Sequence, residues 1–497
     1  MVFYCGRLLS IKSAAEDESN LVLFIRHQRA AESFRQQLWA QKESIAALVK
    51  CHLNLRSDDG CVVLSPESWI QGGFNICVLV DVTVAGSTTR FVFRCPMPHK
   101  LAESRYPGTI DERVACEVAA YVYLQEHCID VRTPILYAFG FVDGSQFTHI
   151  RQAAFNVRLS RNLWRWVHRI LDLPLLSKYT RNTAAPTVDT AYMLLEYISP
   201  ETGKMLSLTW DRYKDNANRT ARLFQGMSRI MLSLARLPQT SIGSFRFNPG
   251  NYTITLTNRL LMCAMMMFEN NGTPRTIQPD QMYQNTDTFV SDMLTLHDNH
   301  LLHDPHAVRD EDDARERMAI RTLLRAVSHQ FINRNRRNGP FLLQLTDLHQ
   351  SNVFVDDDWN VTCMLDLEWI CALPSEMLSV PYWLTDCSID NIIDDRYNQF
   401  DEARQVFLGI MDEEAKIVPQ KHDIRVVEMM RDTWLSKGVW FWACIRSLNA
   451  WPFIFEDHIL PRFSASKELV VILKQASTLW QVGIEQIVKT KVADEER

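Results

Sequence analysis

Several things are missing from this sequence, and each absence removes a class of protein. The 12 cysteines are scattered singly from Cys5 to Cys444 with no C-x-x-C pair, which excludes the spacings of zinc ribbons and disulfide scaffolds and reads as reduced thiols. No stretch reaches the ~18 uninterrupted apolar residues that a bilayer-spanning helix needs; LLMCAMMMF (260–268) comes nearest. The N-terminal MVFYCGRLLSIKS has too short an apolar stretch for a signal peptide. There is no basic excess: the net charge is -6, against a nucleic-acid surface as the main business. H-E-x-x-H, Walker A and G-x-S-x-G are all absent, so zincin, P-loop and α/β-hydrolase chemistry lose their anchors. No internal repeat or low-complexity tract is present. The expectation is a cytoplasmic protein without nucleic-acid or membrane partners.

What is present divides by texture. Residues 20–55 carry Phe34, Leu38, Ile45 and Val49 at helical spacing. From 61 onward, CVVLSPESW, FNICVLVDVTVAG and TTRFVFRCP are β-branched runs broken by Gly-Gly at 72–73 and Ala-Gly-Ser at 85–87, the pattern of antiparallel strands with turns. A periodic helix follows at 112–127, with Val114, Val118, Tyr121 and Val122 on one side, then strands at 133–141 and 191–198. The Arg-rich stretch 149–190 between them is expected to be partly irregular. After Ile198 the chain reads as mostly helical, interrupted at 243–262 and 341–370. Strands first, with one helix among them, then helices: the class is α+β, a small antiparallel lobe joined to a larger helical lobe. The expected divisions are a helical extension at 1–60, a β-rich lobe at 61–198 and a helical lobe at 199–497.

The segment FLLQLTDLHQSNVFVDDDWNVTCMLDLEW (341–369) concentrates polar residues of the kind that handle phosphate. Alternation on either side of DDDWN predicts a β-hairpin. With its turn centred on Trp359, 354 pairs with 364 and 352 with 366, which puts Asn352 and Asp366 on one side with Cβ atoms roughly 5 Å apart. An amide oxygen and a carboxylate so placed suit Mg²⁺, a hard cation that takes oxygen ligands. Asp347, just before the hairpin, can stand beside that metal and accept a hydroxyl proton, and phosphoryl transfer asks for little more.

The spacing Asp347-x-x-x-x-Asn352, then a hairpin, then Asp366 resembles the aminoglycoside phosphotransferase and choline kinase group of the protein-kinase-like fold, in particular its fungal branch. The resemblance extends more loosely over much of 60–400, including ALPSEML and PYWLT. It implies a two-lobed kinase-like fold, with Asp347 as catalytic base and Asn352 and Asp366 holding magnesium. Glu368 is the supporting acid that follows. It implies ATP as phosphate donor, bound near a hinge at LLEYI by the backbone of Glu196 and Tyr197. Arg94 would take the place of the family's phosphate-binding Lys and pair with Glu117; an ordinary lobe-stabilising salt bridge is the plainer reading. Gly72 and Gly73 in QGGFN are either a phosphate loop or a simple hairpin turn. Leu345 replaces a His common in relatives, and His349 reads as a loop brace.

The implied acceptor is a small-molecule hydroxyl. Asp386, Asp390, Asp394 and Asp395 either draw a cationic acceptor or form a solvated helix face. The alternative to an enzyme is a nucleotide-binding pseudokinase or interaction scaffold, to which Arg94 and Leu345 lend weight. A protein kinase lacks support, because no A-P-E-like segment follows Asp366. HDNHLLHDPH (297–306) reads as polar surface, since histidines three apart drift off one helix face and Pro305 limits the helix. The aromatics at 438–455 read as core, with a cation–π pocket at Trp440 or Trp442 as the other reading.

Overall fold

A computed structural model describes residues 2–4, 7–9, 21–463 and 475–495. Residues 1, 5–6 and 10–20 of the expected N-terminal extension, residues 464–474 and the final two residues lie outside them. The chain forms two compact units: residues 1–114, 136–159 and 179–197, and residues 115–135, 160–178 and 198–497.

The first unit is an antiparallel sheet backed by helices. Its strands run in the spatial order Tyr179–Arg181, Gln146–His149, Leu136–Gly140, Tyr192–Glu196, Ser87–Pro96, Asn75–Val84, Gly60–Val63, with Ile70–Gln71 also pairing on Asn75–Val84. The long central hairpin keeps register from Asn75 opposite Pro96 to Val84 opposite Ser87. It can turn in two residues because Ala85 and Gly86 both adopt positive φ, 50° and 83°, the twist that matches antiparallel strands. Alternate residues Ile76, Val78, Val80 and Val82 are buried. They share one core with Phe34, Leu38, Ile45 and Val49 from the helices Leu21–Ala40 and Lys42–Leu53. The apolar periodicity of 20–55 is thus satisfied by one sheet face. Deep in this core the imidazole of His52 meets Tyr192 Oη at 2.6 Å and Thr148 Oγ1 at 2.7 Å.

The second unit is mainly helical, with helices Ala217–Ala235, Thr286–His303, Glu311–Val327, Asp394–Ala415, Val426–Leu435 and Gly438–Arg446 among its elements. Asn216, Asn285 and Asp310 each accept backbone N–H bonds at the helix starts they precede. The strands expected near 243–262 form a hairpin, Ser244–Phe247 with Thr253–Asn258, joined by Leu175–Leu176. Helix Ala217–Ala235 lies directly on the hairpin at 353–364: a Cβ at Gly226 would stand 2.6 Å from Val361 Cγ2, so only glycine permits the approach. Trp440 and Trp442 are buried, as the core reading required. The chain is therefore α+β, an antiparallel unit and a mainly helical unit.

One expectation is filled out here and another needs correction. The stretch 149–190 contains a 16-residue helix, Phe155–Ile170, because its apolar residues fall at Phe155, Leu159, Leu163, Trp166 and Ile170, a helical stripe among the arginines. The histidines of 297–306 are not all surface. His297 and His300 are buried in helix Thr286–His303, where burial pushes their pKa values down to about 4 and about 3. His297 Nε2 lies 3.1 Å from the Ile445 carbonyl, and His300 stacks on Phe268. Only His303 and His306 are exposed.

Candidate active site

The segment 341–373 folds so that its polar loops lie side by side. Strand Leu342–Leu345 pairs antiparallel with Ile370–Leu373, from Leu342 opposite Leu373 to Leu345 opposite Ile370. The ladder ends with Thr346 giving both its N–H and its hydroxyl to the Trp369 carbonyl, at 3.1 and 2.8 Å. Asp347, the next residue, therefore leaves the sheet beside the short turn Leu367–Trp369 and beside Asp366, which precedes it.

The loop from Asp347 to Asn352 is braced on every side. Trp383 Nε1 donates to the Leu348 carbonyl at 2.8 Å. His349 Nδ1 accepts from Ser351 N, so this imidazole braces the loop. Asn352 Nδ2 donates to the Asp347 carbonyl at 3.0 Å, which commits the amide nitrogen to the loop and leaves the oxygen as its ligand atom. Asp347 itself is half-buried. Burial, with the negative charge of Asp366 adding and His349 opposing, holds its carboxyl above the ordinary carboxylate range.

The expected hairpin exists, but in a register shifted by one. Val353 pairs with Met364 and Phe354 with Cys363, then a bulge brings Val355 opposite Val361. Asn352 consequently accepts from the N–H of Leu365, not from a residue opposite at 366. The cause lies in the turn. Asp356 accepts from the N–H groups of Asp358 and Asn360 at 2.9 Å each, Trp359 takes a left-handed φ of 66°, and an odd residue is left to the bulge. Trp359 is drawn inward, where its indole stacks on Trp210 and donates to Thr209 Oγ1. A slip of one would ordinarily carry Asp366 to the opposite face. Here the strand stops at Met364, and Asp366 sits beyond it with φ 60° and ψ 63°. That left-handed conformation, tolerated by Asp better than by most residues, turns the chain and redirects the carboxylate.

Among the described residues, the acidic groups close enough to share one cation are Glu117, Asp366 and Glu368, with one carboxylate oxygen from each within 4.8 Å of the others. Glu117 and Glu368 are buried at 2% and 3% exposure. Carboxylates so placed are costly to ionise together unless positive charge accompanies them. An all-oxygen donor set of this size suits a hard divalent cation, so these residues fit magnesium. Glu117 belongs to helix Thr109–His127. Its membership in this group was not read from the sequence, although it shares the inward face of Val114, Val118 and Tyr121, where a carboxylate is already anomalous. The hairpin is tied to the same region: Met364 N donates to the Arg132 carbonyl at 2.9 Å.

Other anticipated site residues lie in the first unit. Arg94 is buried on strand Ser87–Pro96, in register with Cys77 and Met193. Gly72 gives its N–H to the Asn75 carbonyl at 2.9 Å, and neither Gly72 nor Gly73 has a positive φ. The neighbouring Asn75 side chain accepts from Arg113, a buried arginine not singled out from the sequence. Glu196 ends strand Tyr192–Glu196 opposite Phe91, and the Tyr197 ring lies under the Arg90 guanidinium at 5.6 Å. In the second unit, Asp386 is paired with Lys214 at 2.5 Å, and Asp394 and Asp395 are exposed in the first turn of their helix. Beside the Asp347 loop, a cavity of about 70 Å³ is lined by Thr346, Leu348, Tyr382, Trp383 and Arg446 among others. It is far smaller than the ~300 Å³ of even a modest ligand pocket.

No family model and no curated protein matches the chain. Among solved structures it is similar to a thermostable mutant of an aminoglycoside phosphotransferase in ternary complex with AMP-PNP and hygromycin B, at 11% identity and a TM-score of 0.37, covering 90% of this chain and 98% of that one. It is similar also to spectinomycin phosphotransferase in complex with ADP and spectinomycin, at 8% identity and a TM-score of 0.32, covering 92% and 99%. A type I macrolide 2'-phosphotransferase matches at 10% identity and a TM-score of 0.31, covering 87% and 95%.

Proposed function

We propose that the chain is an ATP-dependent phosphotransferase that moves the γ-phosphate to a hydroxyl of a small molecule. The observation that carries this reading is the convergence of Asp347, Asn352, the half-buried Asp366 and the buried Glu368 on adjacent turns of one short segment. Asp366, Glu368 and the amide oxygen of Asn352 would hold magnesium, with Glu117 close enough to join them. When bound, the metal supplies charge neutralisation on the phosphates.

Asp347 is the proton acceptor in this reading. It orients the acceptor hydroxyl and takes its proton as the new oxygen–phosphorus bond forms and the bond from the γ-phosphorus to its bridging oxygen breaks. A carboxyl held above its ordinary pKa by burial and by Asp366 is a better base for that late step. Trp383 and His349 keep the Asp347 backbone still, which a positioning mechanism requires. Arg94, Gly72, Gly73, Glu196 and Tyr197 enter the proposal as the nucleotide contacts implied by the family resemblance. The pairing of Asp386 with Lys214 favours a solvated role for the 386–395 acids over recognition of a cationic acceptor.

A second reading, a nucleotide-binding pseudokinase or scaffold, draws on the Gly72 N–H already spent within its own turn and on arginine at 94. Turnover of Mg-ATP across a panel of amines, sugars and peptides separates the two. In the enzyme, Asp347→Asn should lower turnover on the order of 10²-fold or more, while the thermal shift produced by Mg-ATP persists. Equal turnover by the mutant would defeat the assignment. A thermal shift without any turnover favours the pseudokinase.

A further inference from the structure

Helix Phe155–Ile170 is mounted with its polar side toward the protein. Arg161 Nε donates to the Ser177 carbonyl and its guanidinium lies over the Tyr252 ring at 4.7 Å. Arg165 donates to the Leu176 carbonyl and pairs with Glu126 at 2.7 Å. His168 Nδ1 lies 2.8 Å from the Pro174 carbonyl. The opposite side carries Phe155, Leu159, Leu163, Trp166 and Ile170, each between 58% and 70% exposed. No residue of this helix is buried. A helix that is strongly amphipathic and wet on its apolar face has been built to meet something else.

We infer that this helix docks on the surface of an anionic lipid bilayer. Charge identifies the occupant. The chain is net -6, yet no Asp or Glu occurs between Ser145 and Leu171, where five arginines stand. By the helical period, Arg158 and Arg169 fall at the margin of the apolar stripe, where long side chains reach phosphate headgroups while the stripe enters the acyl boundary. Both are exposed, Arg169 with 79% of its side chain, although its guanidinium also stands 3.9 Å from Glu126. Sixteen residues span about 24 Å, short of the ~30 Å hydrocarbon core, so the helix lies in the interface plane. A second copy of the chain is the poorer occupant, because a two-fold contact would set the arginine margins of two identical helices against each other. No helix among the described residues is long and apolar enough to cross a membrane, and interfacial docking needs none.

The test is co-sedimentation of the full chain with vesicles of about 30% phosphatidylserine in phosphatidylcholine, against pure phosphatidylcholine. The anionic vesicles should retain the protein roughly tenfold better, and ~0.5 M salt should erase the difference. Leu163→Ser with Trp166→Ser should abolish binding, and Arg158→Gln with Arg169→Gln should remove the anionic preference, both with an unchanged circular-dichroism melt. Equal retention on both vesicle types, or variants that bind as the parent does, would overturn the proposal. So would light scattering that shows a dimer dissolved by the serine variant.

Discussion

Helices Phe155–Ile170 and Ala217–Ala235 are alike in composition and opposite in setting. Both are amphipathic, arginine-bearing and free of Asp and Glu. In Ala217–Ala235 the apolar side, with Leu223, Phe224, Met227, Ile230 and Leu234, is buried. It faces helix Asp394–Ala415, where Phe224 meets Phe407 edge-on at 5.3 Å, while Arg222 reaches outward to Asp358 and Arg229 pairs with the buried Glu414 of the facing helix. In Phe155–Ile170 the arginines face in and the apolar stripe faces out. Amphipathicity therefore names two faces of a helix but not which one is dry. That choice belongs to the neighbours: Glu126 and the carbonyls of 176 and 177 offer arginine a better partner than water on one side, and the stripe has no such partner among the described residues.

The comparison breaks most readily at the apolar residues. Leu223→Ala should cost about 2–5 kcal/mol, since it empties a fully buried site. Leu163→Ala should change stability by no more than about 0.5 kcal/mol, because the side chain is already in water. Urea midpoints of the two variants test this, and a large cost at Leu163 would mean the stripe is covered after all.

Glu126 supplies the next effect. Burial raises its carboxyl, but the hydrogen bond from Lys178 and the charges of Arg165 and Lys178 outweigh that and leave it below the ordinary glutamate value. Its contribution is therefore complete above that ordinary value and is lost as the pH falls through the depressed one. Glu126→Gln should cost about 1–3 kcal/mol. It should speed amide exchange within 155–170, as should acid in the parent once intrinsic exchange is corrected for. Exchange in 217–235 should stay level in the variant, because the ion pairs of Glu126 run to Arg165, Arg169 and Lys178 and not to that helix.

The two helices also show what a sequence can carry. The turn at Ala85–Gly86, the periodic helix after 109 and the loop holding Asp347 and Asn352 are legible because each rests on local chemistry: positive-φ residues, an apolar stripe, a short polar run. What escapes is decided by distant partners. The hairpin register turned on Trp359, whose indole finds Trp210 and Thr209 about 150 residues earlier in the chain and pulls a bulge into the strand. Glu117 joins Asp366 and Glu368 across some 250 residues, which no spacing rule encodes. The helix at 155–170 was not singled out within the Arg-rich stretch 149–190, where two of its arginines are anchors to distant partners.

The smallest effect sharpens the comparison furthest. Arg165 and Arg222 both make an ion pair, at 2.7 and 2.9 Å, but the side chains of the first pair are 14% and 10% exposed and those of the second 43% and 66%. Water screens the Arg222–Asp358 pair and competes for both partners, so Arg222→Ala should shift stability by no more than about 0.5 kcal/mol, and a double-mutant cycle with Asp358→Ala should return a coupling no larger. Arg165→Ala leaves the Leu176 carbonyl and Glu126 short of a donor in drier surroundings, and about 1–2 kcal/mol is expected. The ratio is the informative quantity. Equal small costs would mean the inward arginines are bystanders and some other contact holds the helix polar-side down; a larger cost at Arg165 shows that charge pairing, not apolar burial, sets the orientation that leaves the stripe in water.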